Sequence, residues 1–484
     1  MKTRSRIALA MLSGVLEPLG FAGFGLFPLT WIAKVPVLLA VRDLPPRRAF
    51  GFAMIYGLIA YFGGYSWLTH TFTTFGGLPS VAAWLGAILV CAYLGLLFGI
   101  LIALVRHLKL SPVWSLAFAN PALELLFPNI FPYNIGASQY RFTAITQIVE
   151  LTGLLGLTSL IGMVNGAFYE LLEARLDHRR PVKTRLLVPA CAVSLTLAFG
   201  LLRLSQIDAQ KHPQLTVGLI QTNLDALQKL RNITALRAAH LAMTSELIAA
   251  HPEVQLIVWP ETVIHSPPPS LPRPFIIGAI VRETGNRFFN AALTADDRYD
   301  KRSLLPFGEM IPFESTFPSL RRLFPFTGRY SSGSSLNHLK AAGATFLPTL
   351  CYEDIQPSRV REIWTQSGPA DALINLSDDS WFGDTHEPRI HLALATFRAI
   401  ETRRALIRST NTGISAFIDP AGRIISQTGQ HTRETLLGTI PLIRDASSTP
   451  YMRYGDWFGW LCVVVLIGFV FFKQQSIKAI DHRQ

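Results

Sequence analysis

The sequence predicts a multi-pass α-helical membrane domain joined to a soluble α/β domain. Half of its 484 residues are hydrophobic and only 16% are charged, and the mean hydropathy is +0.32, a balance that is typical of membrane proteins. Long apolar runs fill most of residues 1–202 and return once near the C-terminus. Between them, strand-like and helix-like segments alternate, which indicates an α/β domain.

The apolar runs and the positive charges between them predict an orientation. Sixteen Lys and Arg residues fall in the five segments that should share one side of the membrane, whereas the opposite short loops contain only Arg141. Because positively charged loops stay in the cytoplasm, both termini are predicted to be cytoplasmic and residues 203–456 to lie outside. This orientation explains the net charge of +12, so no nucleic-acid partner is expected. Eight runs approach or exceed the length that crosses a hydrocarbon core: residues 7–23, 25–41, 50–68, 81–105, 112–127, 150–172, 186–202 and 457–472.

Three domains follow from this pattern. Residues 1–202 are predicted to form a transmembrane domain of about seven spans, residues 203–456 an external domain, and residues 457–484 a C-terminal transmembrane helix with a cytoplasmic tail. A cleaved signal peptide is the competing interpretation of the N-terminus, but a second apolar segment follows directly. Glu17 and Lys34 lie inside the first two runs, where they either pair across a tight hairpin or reach separately to an interface.

The external region carries the signals of an alternating α/β fold. A stiff Pro-rich loop at 266–272 interrupts the pattern and cannot form a helix or a central strand. Turn chemistry at Asp419-Pro420-Ala421-Gly422 predicts a hairpin between 414–418 and 423–426. The other predicted elements are strands at 214–221, 256–261, 345–351 and 371–376 and helices at 226–250 and 389–407.

One cysteine stands apart from the other three. Cys91, Cys191 and Cys462 lie inside apolar runs, where a thiol behaves as a small hydrophobe, whereas Cys351 follows a predicted strand in a polar region. No disulfide framework is available there. Cys351 is therefore either a candidate nucleophile or a simple buried cysteine, since free cysteines are often buried.

Two distant charged residues supply the chemistry that such a thiol requires. A thiol attacks an acyl carbon as a thiolate, which a nearby base or cation promotes. Glu261, at the end of a predicted strand, can act as the general base, and Lys301 can hold the thiolate. Together with the backbone N–H of Tyr352, Lys301 can also stabilise an oxyanion. Taken singly, a Glu after Trp-Pro and a Lys in a charged run are more often surface residues.

The neighbours of these three residues resemble known motifs. The order Glu, Lys, Cys resembles the nitrilase superfamily of carbon–nitrogen hydrolases, and the wider pattern resembles the apolipoprotein N-acyltransferase family over nearly the whole chain. The segments that carry this second resemblance are Pro121–Glu124, Phe131–Gly136, Tyr299–Arg302, Pro306–Glu309, Cys351–Glu353, Asn375–Asp384 and Arg408–Gly413.

The resemblance implies a fold, a reaction and a location. The external domain would be a nitrilase-like α-β-β-α sandwich in the periplasm, attached to the bacterial inner membrane. A glycerophospholipid, commonly phosphatidylethanolamine, would acylate Cys351, and the α-amine of a diacylglyceryl-cysteine in an apolipoprotein would then take the acyl chain. No cofactor and no metal are expected. Within the same pattern, Glu309 and Glu353 would be supporting carboxylates, while Trp381 and Asn411 would shape the site.

The sequence also departs from the family pattern. Residues 262–300 are short, so that a helix and a strand look curtailed or replaced by the Pro-rich loop, and Leu230 stands where an aromatic residue is usual. Two rival functions remain open at this point. One is a membrane-tethered nitrilase-type amidase that passes the acyl group to water, and the other is a non-enzymatic lipid-binding or scaffold protein.

Overall fold

The computed structural model of the protein describes residues 1–21, 23–224, 232–325 and 327–481. The chain divides into two compact units. The first, here called the helical unit, comprises Met1–Thr69, Val81–Leu204 and Tyr454–Gln484. The second, called the sandwich unit, comprises His70–Ser80 and Ser205–Arg453. Residues His70–Ser80, which lie between the predicted spans 50–68 and 81–105, thus belong to the sandwich unit.

The helical unit contains no strand among its described residues. Within the described part of the chain, three helices are long and apolar enough to cross a membrane: Ser80–Leu108, Leu154–Leu176 and Lys183–Gln206. Pro46–Tyr65 and Leu68–Thr74, bent by 57° at the break between them, make a fourth if they count as one span. The remaining elements are the helices Thr3–Gly20, Val35–Val41, Pro112–Leu126, Thr143–Thr146, Val149–Thr152 and Trp457–Asp481 and the 3-10 turns Phe27–Trp31 and Ile135–Gln139.

The second predicted span does not form one continuous helix. Residues 25–41 are divided into the 3-10 turn Phe27–Trp31 and the short helix Val35–Val41. Each piece has a proline in its first turn, at Pro28 and Pro36, where a missing N–H is tolerated but a preceding helix is stopped. The apolar run therefore did not predict the break.

The pairing of Glu17 with Lys34 is confirmed. Lys34 Nζ donates a hydrogen bond to Glu17 Oε1 over 2.8 Å, and both side chains are buried. The alternative, in which each residue reaches an interface separately, is wrong.

The sandwich unit is built on two six-stranded sheets. The strand order is β12-β1-β2-β3-β4-β5 in one sheet and β11-β10-β9-β8-β7-β6 in the other. The strands are β1 Gln214–Gln221, β2 Leu256–His265, β3 Phe275–Glu283, β4 Arg287–Leu293, β5 Arg298–Asp300, β6 Leu339–Ala341, β7 Ala344–Leu350, β8 Ala372–Ser377, β9 Leu406–Thr410, β10 Ala416–Ile418, β11 Ile424–Gln427 and β12 Glu434–Pro441. The helices are Ile233–Ala250, Leu320–Leu323, Pro357–Ser367, Glu387–Thr402 and Pro450–Tyr454.

The side chains of β2, which point alternately to opposite faces of the sheet, show how the layers pack. Leu256 and Val258 belong to the apolar core that joins the two sheets. Ile257 and Trp259 belong to a second core under helix Ile233–Ala250. Successive side chains of a strand point to opposite faces, so one strand contributes to both cores. Helices Pro357–Ser367 and Glu387–Thr402 contribute apolar side chains to the core of the other sheet, and the two sheets with their helices support the predicted nitrilase-like fold.

Most of the predicted elements of the sandwich unit are present. Strand β1 covers the predicted residues 214–221, and β10 and β11 form the predicted hairpin. The helix expected over 226–250 is observed at Ile233–Ala250, and residues 225–231, with Leu230, lie outside the described residues.

The stretch 262–300 contains two complete strands, β3 and β4. Strand β3 lies parallel to β2, yet residues 266–274 join the two without a helix. A parallel connection normally contains a helix, and the Pro-rich loop replaces it here.

Candidate active site

Glu261 lies at an irregularity in β2. The parallel register of β2 with β3 is interrupted between Trp259 and Ile264, and Thr262 has a φ of 54°. Gly278 of β3 faces this irregularity, and a Cβ atom at that position would come within 2.2 Å of the Pro260 carbonyl oxygen. The absence of a side chain at Gly278 therefore lets the strand bulge and turn the Glu261 carboxylate into the buried site.

Lys301 follows β5 directly and is almost fully buried. Its ammonium group donates hydrogen bonds to Glu261 Oε1 at 3.2 Å and to Glu309 Oε1 at 3.0 Å. The backbone N–H of Lys301 donates to the carbonyl oxygen of Asn290 at 2.8 Å. A buried ammonium group is stable only when it is paired in this way, so the two carboxylates fix the position of Lys301.

Glu309 holds the loop that follows Lys301. Its Oε2 accepts a hydrogen bond from the backbone N–H of Leu305 at 2.8 Å, while its Oε1 faces Lys301. The Glu309 carboxylate thus contacts both the Lys301 ammonium group and the backbone of Leu305. It therefore positions the loop and the lysine together.

Cys351 stands at the end of β7 with a left-handed backbone. Its φ is 48°, a conformation that a residue other than glycine adopts only at a cost of about 1–3 kcal/mol and that is concentrated at functional sites. The side chain is 7% exposed. The sharp turn from strand to 3-10 helix (Cys351–Ile355) presents the thiol at the strand end.

Glu353 stabilises this turn with both of its carboxylate oxygens. Oε1 accepts from the backbone N–H groups of Arg302 at 2.8 Å and Ser303 at 2.9 Å. Oε2 accepts from Leu350 N–H at 2.9 Å and from the Tyr299 hydroxyl at 3.0 Å. The chain segments that carry Lys301 and Cys351 are therefore connected through one fully buried side chain.

Burial and charge together set the protonation of the site. Burial raises the pKa of the Cys351 thiol well above its ordinary value, the Glu261 carboxylate adds to this increase, and Lys301 opposes it. Burial also raises the pKa of Glu261, against the opposing charge of Lys301. For Lys301, burial acts to lower the pKa, but Glu261 and Glu309 outweigh it and the pKa is raised well above its ordinary value. A protonated Cys351 thiol thus lies within electrostatic range of the Glu261 carboxyl group and the Lys301 ammonium group.

The remaining residues singled out from the sequence lie around this centre. Tyr352 is half-buried, and burial raises the pKa of its phenol. The ring of Trp381 packs on Phe75 with centroids 4.1 Å apart. Asn411 is buried and its side chain bonds the segment after β1: its Oδ1 accepts from the Thr222 hydroxyl at 3.0 Å and its amide donates to the Leu224 carbonyl. Asn411 therefore fixes a loop, and these hydrogen bonds do not involve Glu261, Lys301 or Cys351.

Comparison with known proteins identifies the family. Residues 13–167 match the model of the apolipoprotein N-acyltransferase N-terminal domain, and residues 273–447 match that of the carbon-nitrogen hydrolases. The apolipoprotein N-acyltransferase of Geobacter metallireducens is 31% identical to this chain, over 97% of the chain and 96% of its own length. The chain belongs to the apolipoprotein N-acyltransferase family. The Vibrio cholerae protein of the same name is 29% identical, over 96% of each chain.

Two buried polar features of this family member were missed by the sequence analysis. The first is Asn290 in β4, whose Nδ2 donates to Glu261 Oε1 at 2.6 Å and to Glu309 Oε1 at 3.0 Å. Its strand pairs with β5, which leads directly into Lys301. A polar residue inside an otherwise apolar strand, Phe289-Asn290-Ala291, was the available signal.

The second is a buried ionic cluster next to Cys351. Arg408 Nη1 donates to Asp354 Oδ2 at 2.6 Å, and its Nη2 donates to Asp379 Oδ2 at 3.1 Å. The imidazole of His391 bonds the same two carboxylates, at 2.7 Å and 3.2 Å. Asn375 accepts from Arg408 at 2.8 Å and donates to the backbone carbonyl of Cys351 at 3.2 Å. The cluster thereby reaches the backbone carbonyl group of Cys351.

The charges in this cluster balance. Burial and the neighbouring Arg408 act to lower the pKa of His391, but Asp354 and Asp379 outweigh them and raise it to about 10. The cations Arg408 and His391 therefore face the carboxylates of Asp354 and Asp379 in an almost fully buried site. Among the described residues no group of three or more His, Cys, Asp or Glu side chains is arranged to hold a metal ion.

Proposed function

We propose that this protein transfers an acyl chain from a glycerophospholipid to the α-amine of the diacylglyceryl-cysteine at the N-terminus of an apolipoprotein. The observation that carries the proposal is the buried contact of Glu261 with Lys301 beside the left-handed Cys351, in a chain of this family. Glu261, Lys301 and Cys351 are proposed as the catalytic residues, with Glu309, Tyr352 and Glu353 in support and Trp381 and Asn411 shaping the site.

The first half-reaction forms a thioester. Glu261 removes the proton from the Cys351 thiol as its sulfur attacks the carbonyl carbon of the lipid ester. The developing oxyanion is stabilised by Lys301 and by the backbone N–H of Tyr352, each donor contributing about 3 kcal/mol. The ester C–O bond then breaks, Glu261 returns its proton to the leaving alkoxide, and a lysophospholipid departs.

The second half-reaction forms an amide. The neutral α-amine of the lipoprotein attacks the thioester carbon, and Glu261 accepts the proton that the nitrogen releases. The C–S bond breaks, and the same proton returns to the thiolate of Cys351. No atom or electron is left unaccounted for, so this cycle requires no metal and no cofactor.

Insertion in the bacterial inner membrane, with the sandwich unit in the periplasm, completes the proposal. Three helices of sufficient length and apolarity support a membrane location, and the asymmetric distribution of Lys and Arg supports the orientation. In this placement a two-tailed lipid presents its ester bonds at the outer leaflet, on the same side of the membrane as the proposed site. Protease protection in right-side-out and inverted vesicles tests the orientation, since the sandwich unit should be cleaved only in the former.

Intact-mass measurement after incubation with phospholipid tests the mechanism. The wild-type protein should gain one acyl group on Cys351, whereas Glu261→Gln and Lys301→Ala should not. Ordinary acylation of either variant would remove its assigned role. With labelled phospholipid, transfer to a lipopeptide amine supports the proposal, whereas release of free fatty acid alone supports the rival amidase. Full activity of Cys351→Ala in cells would support the non-enzymatic rival.

A further inference from the structure

Three polar side chains form a row across neighbouring strands beside Cys351. Thr349 of β7 is the register partner of Asn375 in β8, and Asn375 is the register partner of Arg408 in β9. All three side chains are buried. Thr349 lies two residues before Cys351, so the row lies next to the turn that presents the thiol.

Asn375 connects this row to the backbone of Cys351. Its side-chain oxygen accepts from Arg408 Nη1 at 2.8 Å. Its Nδ2 donates to Thr349 Oγ1 at 3.1 Å and to the carbonyl oxygen of Cys351 at 3.2 Å. A guanidinium group can only donate and a carbonyl oxygen can only accept, so the side-chain amide of Asn375 has a single possible orientation.

The carbonyl group of Cys351 belongs to the same peptide unit as the N–H group of Tyr352. This unit is planar and trans, so its C=O and its N–H point in opposite directions. A hydrogen bond that fixes the carbonyl oxygen on one side therefore fixes the direction of the N–H on the other side. Asn375 thus acts, through the backbone, on the N–H group that serves as an oxyanion donor in the proposed mechanism.

Arg408 gives this chain of hydrogen bonds a positive end. Burial acts to lower the pKa of Arg408, but two neighbouring aspartates and Cys351 outweigh it and raise the pKa, so the guanidinium group stays charged. Hydrogen bonds in a chain polarise one another in a low-dielectric interior. The charge of Arg408 therefore strengthens the bond from Asn375 to the Cys351 carbonyl. The polarised peptide unit in turn makes the Tyr352 N–H a stronger donor.

We propose that Asn375 is a positioning residue for acyl transfer, which holds the Cys351–Tyr352 peptide unit so that the Tyr352 N–H faces the oxyanion of the tetrahedral intermediate. This inference rests on the proposed function, which makes that N–H an oxyanion donor. Asn375 neither gains nor loses a proton in the cycle. Its replacement should therefore weaken the stabilisation of the oxyanion and leave the nucleophilicity of the Cys351 sulfur unchanged.

Two reactions of the same sulfur atom separate these effects. Alkylation by iodoacetamide requires the thiolate but forms no oxyanion, because the sulfur displaces iodide in one step. Acylation by p-nitrophenyl butyrate passes through a tetrahedral oxyanion before p-nitrophenolate leaves. Both rates are measured on the purified full-length protein by peptide mass spectrometry, which separates Cys351 from the exposed Cys191. The ratio of the acylation rate to the alkylation rate reports the oxyanion donors.

Asn375→Leu keeps the approximate shape of the side chain and removes its donor. This ratio should fall at least about tenfold, since the loss of a whole oxyanion donor costs about a hundred- to a thousandfold. Thr349→Val is the matched control, because it removes the other acceptor of the same amide and leaves the bond to the Cys351 carbonyl, so the ratio should stay at the wild-type value. Cys351 is 7% exposed, so a variant that fails to fold is recognised by faster alkylation. In that case Asn375→Ala replaces Asn375→Leu.

Three results would overturn this role of Asn375. They are an equal fall of both rates in its variants, unchanged rates in these variants, and an equal loss of the ratio in Thr349→Val. The p-nitrophenyl ester also separates this inference from the proposed function. If the ester acylates the wild-type protein and phospholipid does not, the proposed lipid donor is removed, whereas a lower ratio in Asn375→Leu still supports the positioning role.

Discussion

Asn290 donates a hydrogen bond through its Nδ2 to Glu261 Oε1 over 2.6 Å, which is shorter than the 3.2 Å hydrogen bond from Lys301 Nζ to the same oxygen. The same amide nitrogen bonds Glu309. One neutral side chain therefore holds two carboxylates in position on either side of Lys301. In the proposed mechanism, this orientation lowers the reorganisation that Glu261 requires during proton transfer.

Replacement of Asn290 should slow thioester formation without unfolding the sandwich unit. In Asn290→Ala the rate of Cys351 acylation should fall by about ten- to a hundredfold, since the hydrogen bond that orients the Glu261 carboxylate is lost together with the one to Glu309. The rate is followed by intact mass with labelled phospholipid. Asn337→Ala, at an exposed asparagine, is the matched control and should acylate at the wild-type rate. An unchanged rate in Asn290→Ala would contradict a positioning role.

The pH profile of acylation should report Glu261. A general base works only when it is deprotonated, so the rate should fall as the pH is lowered through the pKa of Glu261, which lies above the ordinary value of 4.5. Two variants should move this acidic limb in opposite directions. Glu309→Gln removes a charge that raises the pKa of Glu261, and the limb should move to lower pH. Asn290→Ala removes a hydrogen bond that lowers it, and the limb should move to higher pH. Shifts in the same direction would exclude Glu261 as the titrating group.

The substitution Glu353→Gln should lower the free energy of unfolding more than Tyr299→Phe, a change in its hydrogen-bond partner. Glu353→Gln replaces an acceptor oxygen by an NH₂ group that faces backbone donors, so the free energy of unfolding should fall by about 3 kcal/mol and acylation should be lost. Tyr299→Phe removes one donor while the backbone donors of Arg302, Ser303 and Leu350 remain, and it should cost about 1 kcal/mol. Thermal or guanidinium denaturation measures both changes, and equal losses would contradict this order.

The buried cluster around Arg408 should be essential for stability. Arg408→Met leaves Asp354 and Asp379 without their guanidinium partner, which should lower the free energy of unfolding by about 3–5 kcal/mol. The control is Arg287→Met at an exposed ion pair with Glu283, where the change should stay within about 1 kcal/mol. Guanidinium denaturation of the two variants makes the comparison, and a small effect at Arg408 would show that the cluster reorganises.

His391 should make the free energy of unfolding depend on pH, in a direction that its raised pKa defines. Its pKa is raised to about 10 in the folded protein from about 6.5 in the unfolded chain. Its contribution to stability is therefore complete below about pH 6.5 and is lost as the pH rises through about 10, by at most about 1.4 kcal/mol for each pH unit. The difference in unfolding free energy between wild type and His391→Gln should shrink over this range. A difference that is independent of pH would show that His391 is not charged.

The sequence by itself determined the local elements and the candidate reactive groups. Alternation and turn residues predicted β1 and the β10–β11 hairpin because these signals act over a few residues. The order of Glu261, Lys301 and Cys351 with their neighbouring motifs predicted the family, since motif spacing is a property of the chain. Proline positions stopped the helix at 25–41, but hydrophobicity alone did not show the break because the apolar run continues through it.

Only the tertiary structure decided which polar groups meet. Asn290 reaches Glu261 because β4 lies beside β3, which pairs with β2, and no local pattern encodes that order of strands. Arg408, His391 and Asp354 form one cluster from a strand, a helix and a turn that are far apart in sequence. A buried charge is tolerated only where its partners converge, and convergence depends on long-range packing that local sequence signals do not contain. The pairing of Glu17 with Lys34 was open for the same reason, until the fold brought their side chains to 2.8 Å.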